Sequence, residues 1–248
     1  MNKARTVKTN AFELTLTESA DALRLGTDAL LLSAYVRRSK NTSALEIGAG
    51  NGAISLLLAK RKCFEKIHAL EIQSELCDIM EQNVKNNGFN EIIAPVNADI
   101  RSVNPEDYKG VSVIISNPPY MRQDSGKSSP SDQKQISRHE VHGGVTDFCR
   151  AASKILKTGG HLYLVYRPDR LETLMQALKE NGFAPKRMTF VHSDQLHSPS
   201  SVLTEATLGG GEALHITPPL FLKENGSETT DCKYIYENGV FPDRFFIK

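Results

Sequence analysis

From Ser43 to Asn181 short apolar runs alternate with helical patterns, and this alternation narrows the possible folds more than any other feature of the chain. Ser43–Ile47 is an apolar run that ends in glycines, and Gly52–Lys60 is a helical pattern. Ile67–Glu71 leads into a helix over Ser74–Asn87 that Gly88 stops. Ile92–Asn97 and Val111–Ser116 follow, the second apolar nearly throughout, as a central parallel strand should be. A helix over Gly143–Lys157 ends at Gly159-Gly160, and Leu162–Tyr166 precedes a helix over Pro168–Asn181. Repeated strand–helix units imply parallel strands with helices packed on both faces. Lys186–His192 and Val202–Leu208 have no helix between them, so they should pair antiparallel at one edge. The expected architecture is α/β: a doubly wound, seven-stranded, mostly parallel sheet with an antiparallel last strand.

Ahead of this series Val7, Phe12, Leu14 and Leu16 fall near period two, which predicts a hairpin or loose arm over about 1–22. Arg24–Arg38 reads as a helix, with Thr27 as N-cap, Asp28 in the first turn, and Arg37 and Arg38 in the last. The polar stretch from Met121 to Ser137 is unusually long for a compact domain, and we expect a mobile substrate-binding lid there. The 248 residues suit one domain over the whole length. No apolar run is long enough to cross a membrane as a helix. The four cysteines form no CxxC pair, so a reducing, cytoplasmic setting without disulfides is expected. His139 and His142 flank Glu140 but lack the further ligands of a metal site, so no metal is expected. A formal net charge of +1 neither favours nor opposes a nucleic-acid partner, so any basic surface must be local.

Two groups of residues carry the chemistry. The first is LEIGAGNG, Leu45 to Gly52, between a strand and a helix. Gly48, Gly50 and Gly52 allow a sharp turn and close approach of a ligand to the backbone. Their spacing differs from the GxGxxG of dinucleotide sites, and Glu46 places a carboxylate beside the turn. That carboxylate suits a cationic ligand better than a diphosphate, and S-adenosyl-L-methionine carries a sulfonium and an ammonium group. Glu71, at the end of the next strand, can accept both hydroxyls of a ribose, and Asp99 after the third can accept from an adenine amino group.

The second group is Asn117-Pro118-Pro119-Tyr120 at the end of the fourth strand. Prolines there would be strand terminators if nothing else. An exocyclic amine on a conjugated ring or a carboxamide is a poor nucleophile, because its lone pair is delocalised. Two acceptors that bind its N–H groups stabilise the nitrogen as it becomes tetrahedral. The Asn117 side-chain oxygen and the Pro118 carbonyl are candidates, held rigid by the prolines. Tyr120 would stack on the planar target.

Together GAGNG, Glu71, Asp99 and NPPY resemble the class I amino-methyltransferases, whose substrates include adenine N6 in nucleic acids, guanine N2 in RNA and the glutamine of release factors. LGTDALLLSAYV, SRHE, YRPDRL, PKRMTFVHS and the late GGG…PPLFL stretch are similar to segments of the bacterial valine-tRNA adenine N6-methyltransferases, over about Phe12 to Leu222. The resemblance implies a Rossmann-like fold, S-adenosyl-L-methionine as cofactor, and tRNA as partner, with the adenosine 3′ of the anticodon as target. It implies that Glu46, Gly48, Gly50, Gly52, Glu71, Ile72, Asp99, Ile100 and Asn117 hold the cofactor. Asn117, Pro118 and Tyr120 would act on the target amine. Arg122, Arg138 and His139 would bind the RNA of the anticodon loop. Lys127 and Lys134, Arg167 and Arg170, and Lys186 and Arg187 could extend a basic rim, whereas Lys60, Arg61 and Lys62 read as complementing a helix dipole. The same NPPY chemistry serves a protein glutamine methyltransferase or an rRNA guanine N2-methyltransferase, and the fold alone would serve a non-catalytic RNA-binding or assembly factor. The sequence suggests no role for the segment after Leu222.

Overall fold

The expected alternation is present strand for strand. The computed structural model describes residues 3–9, 12–18, 26–118 and 144–246, and for 3–9, 12 and 18 the backbone alone. An N-terminal hairpin pairs β1 (Lys3–Thr9) with β2 (Phe12–Glu18), antiparallel, with Thr9 opposite Phe12. After α1 (Thr27–Tyr35) come β3 (Ser43–Ile47), α2 (Ala53–Lys60), β4 (Lys66–Glu71), α3 (Ser74–Asn86) and β5 (Ile93–Asn97). Then follow β6 (Val111–Ser116), α4 (Val145–Ile155), β7 (His161–Tyr166), α5 (Leu171–Glu180), β8 (Phe183–His192) and β9 (Pro199–Leu208).

The sheet runs β5-β4-β3-β6-β7-β9-β8. The first five strands in that order are parallel, and β9 is antiparallel to both of its neighbours, so the reversed last strand is inserted between β7 and β8. The sheet is larger than expected. The two-residue strands β10 (His215–Ile216) and β11 (Leu220–Phe221) add parallel to the outer edge of β8 and make nine. β8 also starts earlier than expected, because a register shift between Pro185 and Arg187 accommodates the proline.

Both faces of the sheet are covered, so successive residues of one strand serve two cores. Leu45, Ile47, Ile114, Leu162 and Leu164 pack beneath α4 and α5. Ala44, Ala69, Ile115, Tyr163 and Val165 pack beneath α1, α2 and α3, together with Leu14 and Leu16 of the hairpin.

The segment after Leu222 belongs to this second core. A short hairpin, β12 (Lys223–Glu224) with β13 (Ser227–Glu228), leads to α6 (Thr230–Asn238). Thr229 caps that helix, its hydroxyl accepting from Cys232 N–H at 3.2 Å. Beyond it Phe241 stands edge-on to both Tyr35 and Phe245 at 5.2 Å between centroids.

Four expectations about basic and capping residues are corrected. Gly26, not Thr27, is the N-cap of α1, its carbonyl taking the first helical N–H groups. The helix ends at Tyr35, so Arg37 and Arg38 lie beyond it; Arg37 pairs with Glu205 at 3.4 Å and Arg38 Nε donates to Lys62 O. Arg61 does not merely complement its own helix: its guanidinium donates to Ser33 O and Val36 O, the carbonyl end of α1. Arg187 belongs to no rim. It is wholly buried, donating from Nε to Glu205 at 2.9 Å, from Nη1 to Phe245 O at 3.2 Å and from Nη2 to Tyr35 O at 2.7 Å. Lys186 lies near the start of β8, far from the strand ends described next, and its ammonium donates to Gly211 O.

Candidate active site

The strand order reverses between β3 and β6: β4 lies on one side of β3, and β6 on the other. A doubly wound sheet opens a crevice at such a point, at the carboxyl ends of the strands. Ile47 is in register with both Leu70 and Ser116, so the glycine turn, Glu71 and Asn117 emerge side by side. The Ser116 hydroxyl donates to Ile47 O at 2.9 Å and pins the two strand ends together.

In the turn Gly48, Gly50 and Gly52 all take positive φ, at 72°, 58° and 83°. A Cβ at Gly48 or Gly50 would meet nothing within 4 Å. Those two glycines are therefore required by backbone conformation, and the space above them is open to a ligand. Gly52 differs: a Cβ there would stand 2.8 Å from Met80 Cγ, so its small size lets α2 pack on α3.

The Glu71 carboxylate is held by the turn itself. Oε2 accepts from Gly50 N–H at 2.8 Å and Oε1 from Gln73 N–H at 2.9 Å. A carboxylate has about four acceptor positions, so each oxygen keeps one for an incoming hydroxyl. The strand ends beside it are tied by Asn97, whose amide donates to Glu71 O at 2.8 Å and Ile72 O at 3.1 Å.

Glu46 lies inside the protein, 2% exposed. Its Oε2 accepts from the Ser55 N–H at 2.9 Å and from the Ser55 hydroxyl. Gly52 offers α2 no side-chain cap, so a carboxylate from the preceding strand satisfies the third N–H of the helix instead. Burial, and next the neighbouring Glu71 charge, push the Glu46 carboxyl up to about 8, against the lowering effect of the Ser55 bonds.

Asp99 follows β5, and its carboxylate is forked by Arg101, with Nε at 2.9 Å from both oxygens and Nη2 at 2.5 Å from Oδ2. Both partners are part-exposed, so an incoming donor can share or displace this pair at small cost. Ile100 is buried with Leu45 and Leu70, and Ile72 is half-buried beside Glu71. Asn117 is half-buried and Pro118 buried. Pro119, Tyr120, Arg122, Lys127, Lys134, Arg138 and His139, with the 121–137 stretch, lie outside the described residues.

The structure thus brings Gly48, Gly50, Glu71, Asp99 and Asn117 to one edge. It adds Asn97 and Arg101, which the sequence reading missed; an asparagine closing a strand and an arginine two residues after an acid were the available signals. Of the two acids, Glu71 borders the open glycine turn and suits a cationic ligand, whereas Glu46 is bound to Ser55 and holds its proton up to about pH 8, so it contributes no charge there. Among the described residues there is no group of acids, histidines and cysteines that could hold a metal, and no helix long and apolar enough to cross a membrane.

The family described as methyltransferase small domain matches residues 18–181. A protein of Tolumonas auensis, named tRNA1(Val) (adenine(37)-N6)-methyltransferase, is 27% identical over 228 residues, 92% of this chain and 91% of the relative. One of the same name from Phocaeicola vulgatus is 30% identical over 182 residues, 73% of this chain and 76% of the relative. Among solved structures, a predicted O-methyltransferase from Agrobacterium tumefaciens superposes with a TM-score of 0.69 at 24% identity, over 86% of this chain and 96% of that one.

Proposed function

Because this chain belongs to the methyltransferase small-domain family, we propose that it uses S-adenosyl-L-methionine to methylate N6 of an adenosine in tRNA, the adenosine at position 37 of valine tRNA. The observation that carries this reading is the register that sets the Gly48 turn beside Asn117, so a cofactor on the turn faces a target amine at the amide. The relatives' shared name supplies the substrate.

The residues present fit the cofactor. Glu71 has free acceptor positions for two ribose hydroxyls, the open turn admits the amino-acid portion, and Asp99 stands at the next strand end for the adenine amino group. The cofactor supplies a methyl group on a sulfonium. Asn117 Oδ1 and Pro118 O accept the two N–H groups of the target amine and turn its lone pair out of the ring's π system. Tyr120 stacks on the base, and Arg122, Arg138 and His139 contact the loop that carries it. A base in an anticodon loop reaches such a site without opening a duplex. The setting of such a reaction is the cytoplasm.

The test is direct. Purified protein, labelled cofactor and bulk tRNA should give N6-methyladenosine on digestion, mapped to position 37. Label in N2-methylguanosine of rRNA, or in a release-factor glutamine, would falsify the tRNA adenine assignment.

A further inference from the structure

Asn83, in the middle of α3, is fully buried, and its amide faces two parts of the molecule at once. Oδ1 accepts from Thr17 N–H at 2.7 Å, and Nδ2 donates to Thr17 O at 3.2 Å. One helical turn later Asn87 repeats the pattern on Thr15, at 3.0 and 2.8 Å. The spacings match: four residues of helix rise about 6 Å, and two residues of strand about 6.8 Å. Two side-chain amides, one on α3 and one at its C-cap, therefore act as a strand edge for β2, while Leu14 and Leu16 anchor it in the core. Asn83 does one thing more. Its Nδ2 donates a second bond, at 3.0 Å, to the carbonyl of Asn51, between Gly50 and Gly52. The oxygen of this buried amide thus serves the N-terminal hairpin, and its two N–H groups are divided between the hairpin and the glycine turn.

We propose that Asn83 is a positioning residue that couples occupancy of the glycine turn to the seating of the N-terminal hairpin. The inference rests on the reading that the turn holds the cofactor. The turn has three residues at positive φ, and its Asn51 carbonyl is fixed by Asn83. A ligand that holds the turn in this geometry holds the Asn83 amide, and the amide holds β2. Coupling of this kind is reciprocal: a seated hairpin favours the ligand as much as the ligand favours the seated hairpin. Asn87 touches the hairpin but not the turn, and so provides the control.

The experiment is amide hydrogen exchange at Thr15, whose acceptor is Asn87, with and without S-adenosylhomocysteine. In the wild type the ligand should slow exchange at Thr15. In Asn83→Ala the protection by ligand should vanish, and the ligand Kd should rise about five- to tenfold, as expected for loss of one buried hydrogen bond. The KM for the methyl donor should rise with it, while kcat at saturating donor stays within about twofold. Asn87→Ala should exchange faster at Thr15 throughout yet keep its response to ligand. Ligand binding to the wild type without protection at Thr15 overturns the proposal even if Asn83→Ala does not fold. A folded Asn83→Ala that keeps the response also overturns it. A wild type that binds no S-adenosylhomocysteine at all removes the cofactor reading instead.

Discussion

At the scale of single residues, two neighbouring glutamates diverge in role because they differ in partners. Glu71 is held by two backbone N–H groups and keeps acceptor positions facing the open turn. Glu71→Ala should weaken S-adenosylhomocysteine binding by about 1.5–3 kcal/mol, the range for hydrogen bonds to a charged group, as read by calorimetry. An unchanged Kd in the folded variant removes Glu71 from the ribose. Glu46 is buried with its carboxyl raised from its ordinary 4.5 to about 8. Between those values the native carboxyl keeps a proton that the unfolded chain has lost. The contribution of this carboxyl to stability is therefore fully present below the window and is lost as pH rises through it, with a slope approaching about 1.4 kcal/mol per pH unit. Glu46→Gln should flatten that slope in denaturant titrations; an identical pH profile argues against the shift. Asn117→Ala should lower turnover by about 100-fold or more, the usual cost of one preorganised partner at about 2.7–4 kcal/mol, while cofactor affinity changes little. Retention of more than about a tenth of wild-type turnover is incompatible with the mechanism.

At the scale of elements, the edge of the sheet is held from behind by a buried ion pair. Arg187 on β8 joins Glu205 on β9, the end of α1 at Tyr35 and the C-terminal segment at Phe245, and its guanidinium stacks 3.6 Å from the centre of the Tyr35 ring. Arg187→Leu leaves Glu205 buried beside only the part-exposed Arg37 and His161. The expected loss is about 3–5 kcal/mol in a denaturant melt, whereas Arg187→Leu with Glu205→Leu should recover most of it. Equal losses in the single and double variants exclude the pair as the cause. Lys186-Arg187 could not be read this way from the sequence. A basic dipeptide opening a strand looks like surface until the strand on one side and the C-terminal segment at Phe245 on the other are known.

At the scale of the whole molecule, a formal net charge of +1 means that attraction for RNA has to come from where the cations sit. With Arg187 in the core and Lys186 near the far end of its strand, the proposed rim reduces to the stretch after NPPY, with Arg167 and Arg170 beyond β7. Arg138→Glu should raise the KM for tRNA several-fold, leave the KM for cofactor unchanged, and lower the salt dependence of tRNA binding by about one unit of log–log slope. Equal changes in both KM values show a folding defect rather than a lost phosphate contact.

What the sequence determined by itself was local and periodic. Alternating apolar runs set the strands, glycines the helix stops, and GAGNG, Glu71, Asp99 and NPPY marked four strand ends, because each depends only on neighbours along the chain. Which of these ends lie together was decided by the sheet order, through pairings such as Ile47 with Ser116. The same holds for the inserted β9, the two added edge strands, the C-terminal segment folded against Tyr35, and the Asn83 bonds to Thr17 and Asn51. These contacts join residues tens to more than a hundred positions apart, and the free energy that selects them is burial and hydrogen bonding across the fold, which leaves no period in the sequence.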